Sequence, residues 1–387
     1  MNVKQIYTLM NDVTGEVLGK TDVVKEDLTN IVDVGTELLD NASVDSYVKS
    51  LVNHIGKVIF KNRPYSGGTP SVLMDSWEFG SVCEKISAEM PEASENESWS
   101  LTDGTEYKQD IFYQPKVTAK FFNKMVTFEV PMSFTEKQVK QSFSDASQLN
   151  AFISMIYNAV EKSMTVKIDS LTQRTINNMI GETIKHEFPD VKDGNYKTST
   201  SVKAVNLLKL YNDTMGTSIE VNKALVNPEF IRFASYTMTN YIDRLGRLST
   251  LFNVGGKDRF TSKDMLHVVM LSDFKASANA YLQGDTIHNE YTALPNAETV
   301  PYWQASGKNY SFDDVSRIHV KVSDNTEINI GGILGIMFDR DALGVCNTDR
   351  RVTTNYNAKG EFFNNYYKFD ASYFNDLNEN FVVFFIA

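Results

Sequence analysis

The sequence predicts a mixed fold of the α+β class. Residues 135–186 repeat apolar side chains with the period of a helix, and this stretch is far longer than a usual globular helix. Runs typical of strands lie before and after it, and the chain finishes on the apolar segment Phe381–Ala387. Helical and strand patterns do not alternate regularly, which disfavours a parallel βαβ architecture.

Composition narrows the class of protein. The chain has 387 residues, 42% of them hydrophobic, which supports a sizeable core arranged as two or three domains or as one elaborate domain. A net charge of −11 argues against a dedicated nucleic-acid binder, whose contact face is normally rich in Lys and Arg. Cys83 and Cys346 are distant in sequence, and we expect both to be free thiols in a reducing compartment. Neither a signal peptide nor a membrane-spanning run of about 20 apolar residues is recognisable.

The N-terminal third predicts an arm followed by a projecting loop. Residues 1–55 have amphipathic helical spacing, and we interpret this leading segment as an arm. Lys57–Phe60 is typical of a strand, and a turn-rich stretch follows it. Residues 90–104 are polar and acidic, whereas Asp110–Lys120 and Phe121–Pro131 are typical of strands. This excursion has too little apolar surface for a core, so we expect a projecting two-stranded loop.

The central helix has a clear beginning and end. Thr135 and Gln138 form a capping-box pattern, and Pro189 terminates the helix. Its length predicts a structural spine with a break. The apolar stripe recurs every four residues at Phe152, Ile156, Val160, Met164 and Ile168.

Helices and strands then mix through the second half of the chain. Ser201–Met215 predicts a helix closed by Gly216, and Asn227-Pro228 opens another, with Asn as the cap and Pro at the first position. Met265–Leu271 predicts a buried strand, followed by a short helix from Asp273 to Tyr281. Further extended segments are predicted at 286–302, 318–322, 333–338, 352–356 and 381–386.

The C-terminal segment indicates a building block. Residues 356–387 place clustered aromatic residues between Asn and Asp, and the run Phe381–Ala387 is almost wholly apolar. Such a segment has to be buried in its own fold or against another copy, because an exposed apolar edge aggregates. We expect Phe381–Ile386 to be a closing strand beside the long helix.

Candidate chemical sites are sparse. His186-Glu187 lacks the second His of a zinc-protease motif, and His288-Asn289-Glu290 near Asp285 lacks further ligands. Asp339-Arg340-Asp341 fits an ion-paired turn better than a pair of catalytic carboxylates. The Gly doublets at 67, 255 and 331 lack the spacing of phosphate-binding loops. We therefore expect no catalytic, cofactor-binding or metal residues and no cofactor. A metal-dependent hydrolase using Asp339, Asp341 and His288 stays open as an alternative.

Several sequence segments, taken in order, resemble one family. They are VIFKNRPYSG (58–67), YLQGDTIHNE (281–290), AETVPYWQ (297–304), MFDRDALGV (337–345) and YNAKGEFFNNYYKFDASYFNDLNEN (356–380). Together they resemble the Hong Kong 97-type major capsid proteins of tailed bacteriophages. The likeness is to phages of low-GC Gram-positive bacteria, including the small short-tailed group.

The resemblance implies a division of the chain and a function. It implies an N-terminal arm (1–55), a strand of the peripheral domain (56–63), an extended loop (64–112), the peripheral domain with the spine helix (113–194), an axial domain (195–350) and C-terminal strands of the peripheral domain (351–387). The capsid proteins that the chain resembles are structural proteins without enzymatic activity. They assemble as hexamers and pentamers into an icosahedral head that encloses double-stranded DNA.

The implied partners are further copies of the chain, a scaffolding protein, a portal and decoration proteins, with DNA enclosed without sequence-specific binding and no membrane. The implied location is the virion, after assembly in the bacterial cytoplasm. An encapsulin-type compartment shell, which shares the fold but holds a cargo enzyme, stays open as a second alternative.

Overall fold

The structure is a computed structural model. It describes residues 3–20, 23–41, 44–62, 72–74, 83–88, 91, 93, 95, 100–106, 110–191, 194–282, 297–304 and 310–387. The chain divides into two compact units. Unit 1 comprises Met1–Gly80, Lys124–Gln173 and Val345–Ser372, and unit 2 comprises Ser81–Asn123, Arg174–Gly344 and Tyr373–Ala387.

Helices and strands are mixed along the chain, which confirms the α+β class. The helices are α1 (Val3–Leu18), α2 (Ile31–Asn41), α3 (Val44–Asn62), α4 (Glu136–Ser142), α5 (Ala146–Glu187), α6 (Leu207–Met215), α7 (Val221–Ala224), α8 (Pro228–Leu245), α9 (Ser272–Leu282) and α10 (Phe312–Val315). The strands are β1 (Cys83–Ala88), β2 (Val117–Phe122), β3 (Met125–Thr135), β4 (Ala204–Asn206), β5 (Leu266–Leu271), β6 (Ala297–Val300), β7 (Ile318–Lys321), β8 (Glu327–Ile330), β9 (Ile333–Asp339), β10 (Leu343–Asn357), β11 (Phe362–Asn375) and β12 (Phe381–Phe385). None of the helices in the described residues is long and apolar enough to cross a membrane.

Unit 1 is built on a sheet of strand order β10–β11–β3. β11 pairs antiparallel with β3 from Phe362 opposite Thr135 to Ser372 opposite Met125. β3 alternates between exposed and partly buried positions, as expected of a strand with one face on a core. Aromatic residues of β11 supply that core, with Phe363, Tyr367 and Phe369 buried. The aromatic clustering of the C-terminal sequence thus reflects one face of a long strand.

The N-terminal helices pack into the same core. Their apolar faces belong to one cluster of buried residues with β3, β11 and the first part of α5. The Tyr47 ring of α3 lies 5.2 Å from that of Phe143, and Gly35 of α2 approaches Phe143 so closely that a Cβ would lie 2.5 Å from its ring. The helical character predicted for residues 1–55 is confirmed. The structure differs from a detached arm, because these helices bury apolar faces that need a partner.

The strand predicted at Lys57–Phe60, and with it the strand assigned to residues 56–63, is wrong. α3 continues without interruption from Val44 to Asn62. An apolar run of four residues has no distinct period, so it cannot be told from a buried helical turn by pattern alone. The helical spacing that begins at Tyr47 simply extends through it.

The long central helix is confirmed, together with its predicted break and end. The Thr135 side chain accepts a hydrogen bond from the Gln138 amide, and the Gln138 side chain accepts one from the Thr135 amide. α4 ends at Ser142 and α5 runs for 42 residues from Ala146 to Glu187, just before Pro189. The predicted stripe through Val160 is buried.

Unit 2 is built on a sheet of strand order β4–β12–β9–β5–β6. β12 pairs parallel with β4 and antiparallel with β9, and every residue from Phe381 to Phe385 is buried. We expected Phe381–Ile386 to join the other C-terminal strands, but it lies in a different sheet from the β10–β11 pair. A strand that is apolar on both faces needs cover on both faces and a neighbour at each edge, which an interior sheet position provides.

Helices α6 and α8 pack in the core of unit 2, and their caps follow the sequence. Asn227 accepts a hydrogen bond from the Phe230 amide at 3.0 Å, and Gly216 ends α6 with a left-handed backbone. The start predicted at Ser201 is wrong. Residues 204–206 form β4 beside β12 instead, and Asn206 caps α6.

Other strand predictions differ in detail. Those at 265–271, 318–322, 333–338 and 381–386 are confirmed as β5, β7, β9 and β12, and 352–356 lies inside β10. β2 and β3 overlap the two strands predicted from Asp110 to Pro131, but β2 extends past Lys120 to Phe122 and β3 extends past Pro131 to Thr135. Most of the turn-rich stretch predicted after Phe60, and residues 286–296 of the predicted extended segment, lie outside the described residues.

Candidate functional site

The β1–β2 ribbon of unit 2 carries the surface most suited to an interaction. Its strands pair antiparallel, from Cys83 opposite Phe122 to Ala88 opposite Val117. Successive residues of a strand point to opposite faces, so this register sorts the side chains into two sets. One set is largely polar, and the other is apolar except for Glu84.

The polar face of the ribbon contacts the turn that precedes β12. Lys120 Nζ lies 2.8 Å from Asp376 Oδ1, and Lys85 Nζ lies 3.2 Å from Asp376 Oδ2 and 2.6 Å from Glu379 Oε1. The ring of Phe122 lies 5.0 Å from that of Phe374 beside this turn. Contacts within unit 2 therefore cover the part of the polar face around Lys85, Lys120 and Phe122, whereas the Ser87–Thr118 pair is exposed.

The carboxylates of this contact are buried and the lysines are not. The side chain of Asp376 is 2% exposed, against 41% for Lys120. Burial raises the pKa of Asp376, but hydrogen bonds from Lys120 and the Asn378 amide and the charge of Lys85 outweigh it, so the pKa lies below its usual value. Burial lowers the pKa of Lys85, but the two carboxylates outweigh it and the pKa is raised. Both groups are charged at neutral pH.

The opposite face of the ribbon is apolar and open. We call it the ribbon face; its apolar members are Ile86, Ala88, Val117, Ala119 and Phe121, and the register places Glu84 opposite Phe121 as its one charged residue. Phe121 is 63% exposed and Ile86 is 65% exposed. Side chains of this size seldom gather on an uncovered surface unless something binds there.

A cavity of about 390 Å³ lies at the end of the ribbon beside Ser87 and Thr118, a pair that the register places on the polar face. Ala88 and Thr118 line one side, and Leu248, Arg259 and Phe260 line the other. Leu248 and Phe260 are themselves exposed. We call the ribbon face, Leu248 and Phe260 together the apolar surface.

The segment that leads into β2 is also exposed. Phe112 and Tyr113 are 84% and 82% exposed, and Ile111 beside them is 48% exposed. Aromatic residues in this position add to the apolar area that the ribbon presents.

The residues singled out as chemical candidates do not form a site in the described part of the chain. Asp339 accepts a hydrogen bond from Thr261 Oγ1 at 2.8 Å and another from the Asp341 amide at 2.9 Å, so it stabilises a turn. His288 lies outside the described residues. Within the described part of the chain, no group of His, Cys, Asp and Glu residues is placed to hold a metal ion.

The remaining candidates have local structural partners. His186 contacts Glu187 at 2.9 Å at the end of α5, and Glu187 also pairs with Lys203 at 2.9 Å. Cys346 is a buried thiol. Gly256 and Gly332, each the second residue of a glycine doublet, have left-handed backbones, and the doublet at 67 lies outside the described residues.

Sequence reasoning expected a two-stranded projection but did not identify β1 as the partner of β2. The signal was the alternation of Val117, Ala119 and Phe121 with polar residues, matched by Ile86 and Ala88 in a short segment between polar stretches. Pairing over about thirty residues is not encoded by any local rule, so the ribbon face became visible only with the register.

The comparisons with known proteins point to one family. The model of a family described as Phi29-like phage major capsid protein matches residues 8–385. A capsid structure of Staphylococcus phage Andhra shares the fold, with 10% identity, a TM-score of 0.52 and coverage of 84% of this chain and 87% of the other.

Two further structures match less well. A structure of the head fiber and inner core protein of native bacteriophage P68 has 8% identity and a TM-score of 0.47, with coverage of 83% of this chain and 85% of the other. A structure from Microbacterium phage Oxtober96 has 10% identity and a TM-score of 0.44, with coverage of 84% of this chain and 93% of the other. A comparison with curated protein sequences finds no match.

These matches confirm the predicted resemblance, the mixed capsid fold of the Hong Kong 97 type and a structural capsid role. They rest on nearly the whole chain rather than on one motif, since the family model extends from residue 8 to residue 385. The chain belongs to the family of Phi29-like phage major capsid proteins.

Proposed function

We propose that the chain assembles with copies of itself into rings of six and five that close into an icosahedral head around double-stranded DNA, and that it performs no catalysis. The observation that carries this proposal is the apolar surface. Unit 2 contacts the polar face of the ribbon through Lys85 and Lys120 and leaves Ile86, Val117 and Phe121 open. In a capsid subunit, the partner most available to cover such a face is the next copy.

The geometry favours a head-to-tail contact between copies. Ribbon and body lie on one chain, and a surface that binds a different surface of the next copy makes a heterologous interface, which closes into a ring when the rotation fits. Many modest contacts of this kind sum to a stable shell.

The regions named from the family likeness stay proposals. We propose that residues 64–112 and the ribbon act as the extended loop, that α5 acts as the spine, and that 113–194 and 195–350 contribute the peripheral and axial domains. For residues 1–55 we now propose an arm whose helices belong to the core of unit 1, because that core includes Ile6, Leu38 and Tyr47.

The partners beyond the chain itself are proposed on the same basis. We propose that a scaffolding protein acts during assembly, that a portal occupies one vertex of the head and that decoration proteins bind its outside. We propose that assembly occurs in the host cytoplasm. A subunit of net charge −11 is suited to enclosing DNA without gripping it, because few basic groups are available to displace counterions.

The experiment that tests this proposal replaces the exposed aromatic side chain of Phe121. Phe121→Gln should leave the free subunit folded, since the side chain is 63% exposed, but should prevent shell formation seen by electron microscopy and sedimentation. Tyr310→Gln is the matched control, because Tyr310 is 77% exposed and lies outside the apolar surface. Shells of Phe121→Gln in normal yield would refute the proposed role of the ribbon face. Shells that co-purify with an enzyme cargo and without DNA would instead support a compartment protein.

A further inference from the structure

An isolated ribbon does not hold its own position. Two antiparallel strands without further support are at best marginally stable in water. β1 and β2 pair with each other in the described residues, and the cross-strand contact between Ser87 Oγ and Thr118 Oγ1 at 3.0 Å is exposed. The orientation of the ribbon face therefore depends on what the polar face is attached to.

The attachment combines the Phe122–Phe374 ring contact with ion pairs, and the acidic half of the ion pairs is the more buried. The turn Asp376–Glu379, which we call the anchor turn, buries both of its carboxylates, with side chains 2% and 9% exposed. Its backbone is fixed as well, because the Asp376 amide donates to Ala342 O at 2.7 Å and the Asp376 carboxylate accepts from the Asn378 amide at 3.0 Å. The cations that meet it, Lys85 and Lys120, come from the ribbon.

The same turn also fixes the other side of the apolar surface. Arg259 Nε lies 3.1 Å from Glu379 Oε1, and the Gly255 amide donates to Leu377 O at 2.8 Å. A Cβ on Gly255 would lie 1.9 Å from Oδ1 of the Asn378 side chain, so Gly255 lies directly against the anchor turn. The loop held by these contacts carries Phe260, and the ribbon end carries Ala88; both line the cavity that joins them.

We propose that the anchor turn positions the apolar surface for assembly, with Lys85 and Lys120 acting as positioning residues for the ribbon and Arg259 for the loop. This inference rests on the proposed function, since it assumes that a second copy covers the ribbon face. The lysines themselves need not touch that copy. They fix the direction in which the ribbon face points, so that ordering occurs before the subunits meet rather than at their encounter.

The test removes the cations and keeps the size of the side chains. Lys85→Gln/Lys120→Gln should leave the melting temperature of the subunit close to that of wild type. Hydrogen exchange of the amides in 83–88 and 117–122 should accelerate roughly tenfold or more, because the ribbon opens locally. The concentration needed for assembly should rise by about tenfold, since the ribbon must now be ordered on binding.

Two further variants sharpen the result. Lys124→Gln, in the exposed link between β2 and β3, makes the same change of charge and should alter neither exchange nor assembly. Lys85→Arg/Lys120→Arg keeps both positive charges and should restore wild-type ribbon exchange and assembly. If the lysines acted only by packing, this restoration would not be expected. Asp376→Asn removes the shared acceptor charge and should loosen the ribbon as the double glutamine variant does.

The outcomes separate this inference from the proposed function. Unchanged ribbon exchange in Lys85→Gln/Lys120→Gln would overturn the anchor, whatever Phe121→Gln does. Faster ribbon exchange with an unchanged concentration for assembly would keep the anchor and overturn its role in positioning the ribbon for assembly. Normal assembly of Phe121→Gln would overturn the proposed function of the ribbon face while leaving the effect of the lysines on exchange intact.

Discussion

At the scale of single residues, two helix glycines meet different surroundings. A Cβ on Gly35 of α2 would lie 2.5–2.6 Å from three atoms of Phe143, including its Cβ, whereas one on Gly15 of α1 would meet only Lys20 O at 3.7 Å. We expect Gly35→Ala to lower the free energy of unfolding by about 1–3 kcal/mol through overpacking. Gly15→Ala should be neutral or stabilising by up to about 1 kcal/mol, because alanine favours the helix. Chemical denaturation of both variants measures the difference, and equal effects would contradict the close packing of α2 on Phe143.

Asp376 gives a pH prediction with a definite sign. Its pKa in the folded chain lies below the ordinary value of 3.8, because Lys120, the Asn378 amide and Lys85 outweigh the effect of burial. A carboxylate of this kind contributes stability that is present above its unfolded pKa and is lost as pH falls through the lower folded pKa. Ribbon protection from hydrogen exchange, corrected for the intrinsic rate, should therefore not depend on this group between about pH 5 and 8 and should fall below about pH 4.

The control for the pH effect is Asp376→Asn. It should remove the component of the acid-induced loss that belongs to this carboxylate, so that its ribbon protection is already low at neutral pH and changes less on acidification. A wild-type ribbon that loosens between pH 5 and 7 would show that another group governs it.

At the scale of elements, α2 tests whether the N-terminal helices belong to the core. Leu38 is 0% exposed and Val32, on the same helix, is 45% exposed. We expect Leu38→Ala to cost about 2–4 kcal/mol, as large-to-small changes in a packed interior do. Val32→Ala should stay within about 0.5 kcal/mol of wild type. Thermal and denaturant unfolding of the free subunit give the comparison, and two small effects would return residues 1–55 to the status of a detached arm.

Elements whose ends are set by local chemistry could be predicted from the sequence. Thr135 accepts a hydrogen bond from the Gln138 amide and Asn227 accepts one from the Phe230 amide, so the starts of α4 and α8 are encoded within three residues. Pairing across the chain could not be predicted. β12 is apolar on both faces, and nothing local states that its neighbours are β4 and β9 rather than the adjacent strand β11. The false strand at Lys57–Phe60 has the same origin, because a short apolar run acquires its structure from what it packs against.

At the scale of the whole molecule, the family was predictable and the assembly surface was not. The order of sequence segments along the chain was enough to indicate a capsid protein, and the family match over residues 8–385 confirms it. The apolar surface depends on three distant segments, represented by Ala88, Phe121 and Phe260. Such a surface is a product of register and folding, which composition alone does not specify.

A heterologous contact makes a specific prediction about mixed assemblies. Each copy would offer its ribbon face and also the surface that receives the ribbon of another copy. Phe121→Gln damages the ribbon face and leaves the receiving surface intact. A variant subunit therefore still binds the ribbon of one neighbour but cannot bind the neighbour on its other side, so the ring does not close. In an equal mixture, rings of six drawn at random would be free of variant in only about 2% of cases, one half to the sixth power.

Shell yield in such a mixture should therefore fall far below the half expected from dilution. Tyr310→Gln, mixed in the same ratio, should leave the yield unchanged, and yields are measured by sedimentation after induction of both genes in one cell. A yield of about half for the Phe121→Gln mixture would mean that the variant is excluded from rings altogether, as happens when a substitution removes both sides of a self-complementary, isologous contact. That result would contradict the head-to-tail arrangement and favour the isologous one. A near-complete loss of shells would instead show that one face of the ribbon governs closure of the ring.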